Sequence, residues 1–230
     1  MLLRSAFLLL LVGASLTATQ GAFAEPLGSH QPHGQVSLGP RVSRVSDPGY
    51  DPFADSDDLA QVSVGLGATV LRYQRFSFAG VGFWDYGARS STARGAITSL
   101  DVHRLSIGPE ARYHLLTPLY VFVHVLPAFA HSSASLDDGT AGATRYARHW
   151  QYGVDSGAGA AFELYGMRSG ESLRPRLWVI GEGGYGYLGS SKLVLQPESN
   201  GGAPERTAPV DLGSLSLSGP YLRISGAVSF

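Results

Sequence analysis

Arg104-Leu105-Ser106-Ile107-Gly108-Pro109-Glu110-Ala111-Arg112-Tyr113-His114-Leu115 alternates in polarity over its whole length. In an extended chain, Leu105, Ile107, Pro109, Ala111, Tyr113 and Leu115 share one face. Arg104, Ser106, Gly108, Glu110, Arg112 and His114 share the other. That is the signature of a strand with one wet face and one apolar face. Pro109 lacks the N–H that a closed sheet requires, so a bulge or other irregularity is expected beside it.

The same period recurs along the chain. Eight strands are predicted, at roughly 35–45, 60–73, 76–87, 102–116, 119–132, 148–166, 174–188 and 219–230. The connections alternate in length. Gln74-Arg75, Thr117-Pro118 and the stretch from Met167 to Leu173 are short. The others run to about fourteen or fifteen residues, and about thirty before the last strand. Short turns at one end and long loops at the other are the pattern of an up-and-down barrel. An even strand count returns the C-terminus to the side of the N-terminus; a missed pair would make ten strands. Gly-rich stretches such as Gly157-Ala158-Gly159 suit a narrow, strongly curved barrel better than a phosphate loop, since no Lys or helix follows them.

Alternation alone leaves open which face turns inward. The charges favour an apolar exterior. Arg41, Arg104, Arg112, Arg176 and Arg223 fall on polar faces, and so do Asp85, Glu110, Asp155, Glu163 and Glu182. Equal numbers of each sign can pair inside an eight-stranded barrel, whose lumen is just wide enough for side chains. Arg104, Glu110, Arg112, Asp155, Glu182 and Arg223 are the expected interior ion-pair network. His103 and His114 are expected to join it. Turned outward, an Arg at a bilayer midplane would cost about 2–4 kcal/mol. Aromatics gather near strand ends: Phe76 and Phe78, Trp84 and Tyr86, Trp150 and Tyr152, Tyr185 and Tyr187. These would form girdles at two membrane interfaces. The fold class expected is therefore all-β: an eight-stranded antiparallel up-and-down transmembrane β-barrel with short periplasmic turns and long extracellular loops. A soluble secreted β-barrel that binds a small ligand is the competing architecture.

Both ends of the chain bear on location. Met1-Leu2-Leu3-Arg4, an apolar run from Ala6 to Leu16, and Ala22-Phe23-Ala24 follow the order of a secretory signal peptide. Cleavage is expected after Ala24. Residues 1–24 are then signal, 25–34 a periplasmic lead and 35–230 the barrel. At the other end, Leu222, Ile224, Val228 and Phe230 share the apolar face of the last strand. A closing strand ending in Phe resembles that of bacterial outer-membrane barrels, where it serves as an assembly signal. Taken together, signal peptide, strand spacing and Phe230 are similar to small outer-membrane barrels of the OmpA/OmpX type. The resemblance implies a Gram-negative outer membrane as the location. It implies outer-membrane lipid, lipopolysaccharide and the barrel-assembly machinery as partners. It implies a structural or surface-interaction role, with the extracellular partner unnamed.

Several function classes drop out. A formal net charge of -1 offers no basic field for nucleic acid. With no cysteine there is neither a disulfide framework nor a thiol nucleophile. His30 and His33 lack a third ligand, so no metal and no cofactor is implied. Asp47-Pro48-Gly49-Tyr50-Asp51-Pro52-Phe53-Ala54-Asp55-Ser56-Asp57-Asp58 reads as an acidic solvated loop, without EF-hand spacing. One constellation could carry catalysis. His131 and Ser133 lie on one side of a strand, with Asp137 and Asp138 beyond. The pair resembles the His-x-Ser element of PagL-type lipid A deacylases, which makes a lipid A-modifying acyl hydrolase the alternative function. It departs from that family in having Ala134 after the Ser and in lying in the fifth strand.

Overall fold

A computed structural model describes residues 34–93, 95–137, 144–165, 175–197 and 209–230. The expected signal peptide and nearly all of the lead, with His30 and His33, lie outside the described residues. So do Asp138 and the turn from Met167 to Leu173.

Ten strands follow in order. They are β1 (Gly34–Arg44), β2 (Asp58–Tyr73), β3 (Phe76–Ala93), β4 (Ala96–Leu116), β5 (Leu119–Asp137), β6 (Arg145–Tyr165), β7 (Arg176–Leu188), β8 (Ser191–Pro197), β9 (Val210–Leu215) and β10 (Gly219–Ser229). Eight of them, β1 to β7 and β10, pair antiparallel into a closed ring. The ring closes between β1 and β10, with Val36 opposite Val228 and Arg41 opposite Arg223. Gly34 and Phe230 exchange backbone hydrogen bonds at 3.2 and 3.0 Å, so the terminal aromatic belongs to the seam. Strands β8 and β9 form an additional hairpin joined to the end of β6.

Side-chain period fixes inside and outside. Leu222 is 68% exposed and Ile224 62%, while Arg223 between them is 3% exposed. The barrel is thus inverted relative to a soluble protein, with its charges inside and its aliphatic residues outside. Phe76 and Phe78 are exposed toward the short-turn end; Trp84 and Tyr86 are exposed toward the long-loop end. Phe76 and Tyr86 stand ten residues apart on β3. That is about 33 Å along the strand, or about 25 Å after the usual tilt, the height of a lipid-facing band.

Two expectations need correction, and a third is met in another form. Pro109 brings the irregularity expected beside it, though not as a bulge: it pairs with Gly80 on β3, while pairing with β5 is interrupted between Ser106–Ala128 and Glu110–His124 without a slip of register. Pro127 lies in the facing stretch of β5, so two residues that lack an N–H share one gap. The bulges of the ring instead fall near the short-turn end, at Thr69/Leu71, His114/Leu116 and Glu163/Tyr165, and one more lies in the β8–β9 hairpin at Lys192/Val194. Most of the loop of about fourteen residues predicted between the third and fourth strands is paired strand. Strands β3 and β4 continue together until Ala93 faces Ala96. His103 points outward and is exposed; His114 faces inward, 3.0 Å from Ser77 Oγ.

Candidate functional site

The lumen is filled in three layers. The middle layer is ionic. Arg41 Nη1 donates to Asp85 Oδ2 at 2.6 Å and lies 3.3 Å from Asp155 Oδ2. Arg104 pairs with Asp155 through two nitrogens, and Ser106 Oγ donates to the same carboxylate. Arg223 bridges Asp85 at 3.3 Å and Glu182 at 3.0 Å. Tyr221 Oη donates to Glu182 at 2.6 Å. His124 sits between Glu182 and Glu110, at 3.3 and 3.4 Å. Arg112 Nε closes the series on Glu110 at 2.6 Å. Four guanidinium groups and four carboxylates so form one network, with residues from every barrel strand except β2. Each charge is buried, and each has a partner of opposite sign, which is the condition for burying it. Arg176 and Glu163 stand apart from the network, 3.7 Å from each other and part-exposed.

Small residues make room for this layer. A Cβ on Gly157 would lie within 3 Å of Tyr221 Oη, His124 Nε2 and Glu182 Oε1. A Cβ on Gly186 would collide with the Arg104 guanidinium. Arg41 and Arg223 gain further support from aromatic faces, each 4.0 Å from a ring centroid, Tyr221 and Phe83 respectively.

Toward the short turns the layer is aromatic. Tyr120, Phe122 and Trp178 pack with Ala161 and Ala227, and Trp178 Nε1 donates to Ser229 Oγ at 2.8 Å. Toward the long loops the layer is apolar, and the loops themselves build it. Tyr50 and Phe53 from the first loop are 1% and 0% exposed; Leu193, Leu195 and Leu215 from the β8–β9 hairpin are 0% exposed. They pack with Leu100, Val102, Ala128 and Leu188 of the barrel wall. Hydrogen bonds tie the lid down. Gln151 Nε2 donates to Leu215 O at 2.6 Å, Arg89 Nη2 to Asp58 O at 2.6 Å, and the Ser216 backbone N–H to Asp47 Oδ2 at 3.2 Å. The stretch read as an acidic solvated loop is therefore two-faced. Asp51 and Asp55 remain exposed while its aromatics close the barrel mouth.

The residues singled out for catalysis lie elsewhere. His131 and Ser133 are on the outer surface of β5, part-exposed, and share a face two residues apart. Asp137 lies on that face too, but four residues beyond Ser133, about 13 Å along the strand. The carboxylate opposite Ser133 is Asp101, on β4. The described contact of the His131 ring is with Trp150, at 4.9 Å between centroids. No hydrogen bond joins His131 to Ser133 among the described residues. Of the terminal residues, Leu222, Ile224 and Phe230 are exposed on the outer surface and Val228 is half-buried there. No cluster of three metal-binding side chains occurs among the described residues.

Solved structures resemble this chain. Ail, the attachment invasion locus protein of Yersinia pestis, aligns over 87% of this chain and 99% of its own, at 10% identity and a TM-score of 0.48. Neisserial surface protein A aligns over 86% and 97%, at 13% identity and 0.43. The transport unit of the autotransporter AIDA-I from Escherichia coli aligns over 93% and 94%, at 10% identity and 0.39. All three are outer-membrane β-barrel proteins. At this similarity no residue role passes from them to this chain, and the barrel architecture rests on the strand pairings above. No protein-family model matches the chain, and no curated protein matches it.

His124 and Tyr221 are the parts of the ionic layer that sequence reasoning missed. Each stands at an inward position of its strand, between outward aliphatic neighbours, and that period was the available signal. The lid residues carried a similar signal in Leu193 and Leu195, two apart.

Proposed function

We propose that this chain is an integral protein of a bacterial outer membrane, exported by a signal peptide spanning residues 1–24. It acts as an element of the envelope and through the surface that its long loops present. The observation that carries the reading is the inversion of the barrel: Leu222, Ile224, Leu105, Ile107 and Val123 are exposed around a lumen that holds Arg41, Asp85 and Asp155. In water such an exterior would aggregate; in a bilayer it replaces lipid contacts at no cost. No described helix is long and apolar enough to cross a membrane, so the crossing falls to the strands.

In this reading Leu222, Ile224, Val228 and Phe230 are the residues that the assembly machinery engages. Membrane lipid and lipopolysaccharide surround the belt. An extracellular partner meets the loop end. The geometry at His131 and Ser133 lacks the hydrogen bond that acyl transfer requires, which favours the non-enzymatic role. A soluble ligand-binding barrel is disfavoured because ionic, aromatic and apolar side chains fill the lumen.

Insertion tests the reading. Urea-denatured mature chain, diluted into phosphatidylcholine vesicles, is expected to migrate faster on a gel when unboiled than when boiled. In cells it should fractionate with outer membranes. A chain that folds to a soluble monomer without lipid or detergent would overturn it.

A further inference from the structure

The outer surface of β3 to β6 carries a row of side chains that an apolar belt does not need. Backbone register places Tyr86 opposite His103, His103 opposite His131, and His131 opposite Trp150. Four neighbouring strands therefore present Tyr, His, His and Trp side by side. The rings touch: His103 lies 4.8 Å from Tyr86 and 6.0 Å from Trp84, with which it stacks, and His131 lies 4.9 Å from Trp150. One step toward the loops, the same pairings align Asp101, Ser133 and Arg148. Arg148 is exposed and makes no ion pair among the described residues.

This double row marks a border. On its short-turn side the exterior is apolar, with Leu105, Ile107, Phe129 and Val154 exposed. On its loop side the surface is mixed: Ser99 Oγ and Ser135 Oγ hydrogen-bond at 2.7 Å, beside exposed Ile97 and Tyr146. Amphipathic rings at such a border suit the headgroup level of a bilayer. The exposed Arg148 guanidinium there calls for an anion, its planar fork matches phosphate, and the imidazole N–H groups of His103 and His131 can donate to the same oxygens. Asp101, Ser133 and the flat faces of Trp150 and Tyr86 do not suit a bare phosphate. A carboxylate and hydroxyls accept and donate to sugar hydroxyls, and flat rings cover sugar faces.

We infer that this face binds the headgroup of a phosphorylated glycolipid in the surrounding leaflet. Arg148, His103 and His131 hold the phosphate, and Asp101 and Ser133 meet the sugar. The inference rests on the membrane reading above, and its test separates the two. The full mature chain is inserted into phosphatidylcholine nanodiscs, with insertion scored by the gel shift on boiling. Retention of bisphosphorylated lipid A is then compared with that of the same lipid stripped of its phosphates, by native mass spectrometry. The phosphorylated form is expected to be retained about tenfold more tightly, the scale of one or two charge-assisted hydrogen bonds. The triple variant H103N/H131N/R148Q should lose that preference while still inserting. R148K, which keeps the charge and loses the fork, should fall between. Equal retention of the two lipids by an inserted chain overturns the inference and leaves the membrane reading standing. Displacement of the lipid by millimolar inorganic phosphate also overturns it, because the site would then take a free anion. Failure to insert at all overturns the membrane reading first.

Discussion

Asp155 shows how much one side chain holds in a lumen this narrow. Its carboxylate takes Arg104, Ser106 and part of Arg41, and among these it is the acid that neutralises Arg104. Arg104 is 3% exposed. Removing the acid therefore leaves an uncompensated buried cation. Asp155→Ala is expected to lower stability by about 3–5 kcal/mol, whereas Asp57→Ala, which breaks an exposed pair with Arg44, should cost less than about 1 kcal/mol. Adding Arg104→Met to Asp155→Ala should recover part of the loss, since the pair as a whole is worth far less than the penalty for orphaning one member. Urea unfolding of the inserted protein, followed by tryptophan fluorescence, measures all three. An Asp155→Ala barrel as stable as the parent would mean that water reaches Arg104.

At the scale of elements, strands and lid obey the same alternation but were not equally readable. Strands β1 to β7 and β10 showed themselves wherever one face meets the apolar exterior and the other the lumen, as in Arg104–Leu115. Where β3 and β4 rise beyond the belt, from Gly87 to Asp101, Ser, Thr and Ala occupy both faces and the period vanishes. That is why a fourteen-residue loop was expected in place of a continuing hairpin. The lid failed to show for another reason. Tyr50 and Phe53 sit among acids and prolines, and only the tertiary fold decides that they turn toward the barrel mouth. The charges of the ionic layer were visible as inward positions, but their partners depend on shear and register around the ring, which no local pattern encodes. The lid can be tested separately from the barrel. Leu195 is fully buried beneath the hairpin, and burying a leucine contributes about 1.5–3 kcal/mol. Leu195→Asp replaces that gain with a desolvation cost and should release β8 and β9. Cleavage by trypsin at Lys192 is expected to become rapid in the variant, while the gel shift on boiling stays unchanged. Loss of that shift would mean that the lid is needed for the barrel itself to stand.

Over the whole molecule, the lid and the ionic layer, two of the three layers that fill the lumen, differ in what would open them. The lid is a loop structure packed by apolar contacts at one end. The ionic layer ties seven of the eight ring strands together across the middle, with Arg41 and Asp85 both 0% exposed. Opening a path through it would separate paired charges at low dielectric, which is far costlier than lifting a hairpin. The ionic layer should therefore be the seal that matters for permeation. The loop can be shortened without strain, because Ser216 and Ser218 both hydrogen-bond to the Leu188 carbonyl at 2.8 Å. A chain with residues 191–215 replaced by a short Gly-Ser linker should thus still close its ring. In planar bilayers neither this chain nor the parent is expected to show a stable open conductance. A steady open level confined to the shortened chain would make the lid the true gate. A steady level in the parent would mean that the lumen is emptier than its paired charges require.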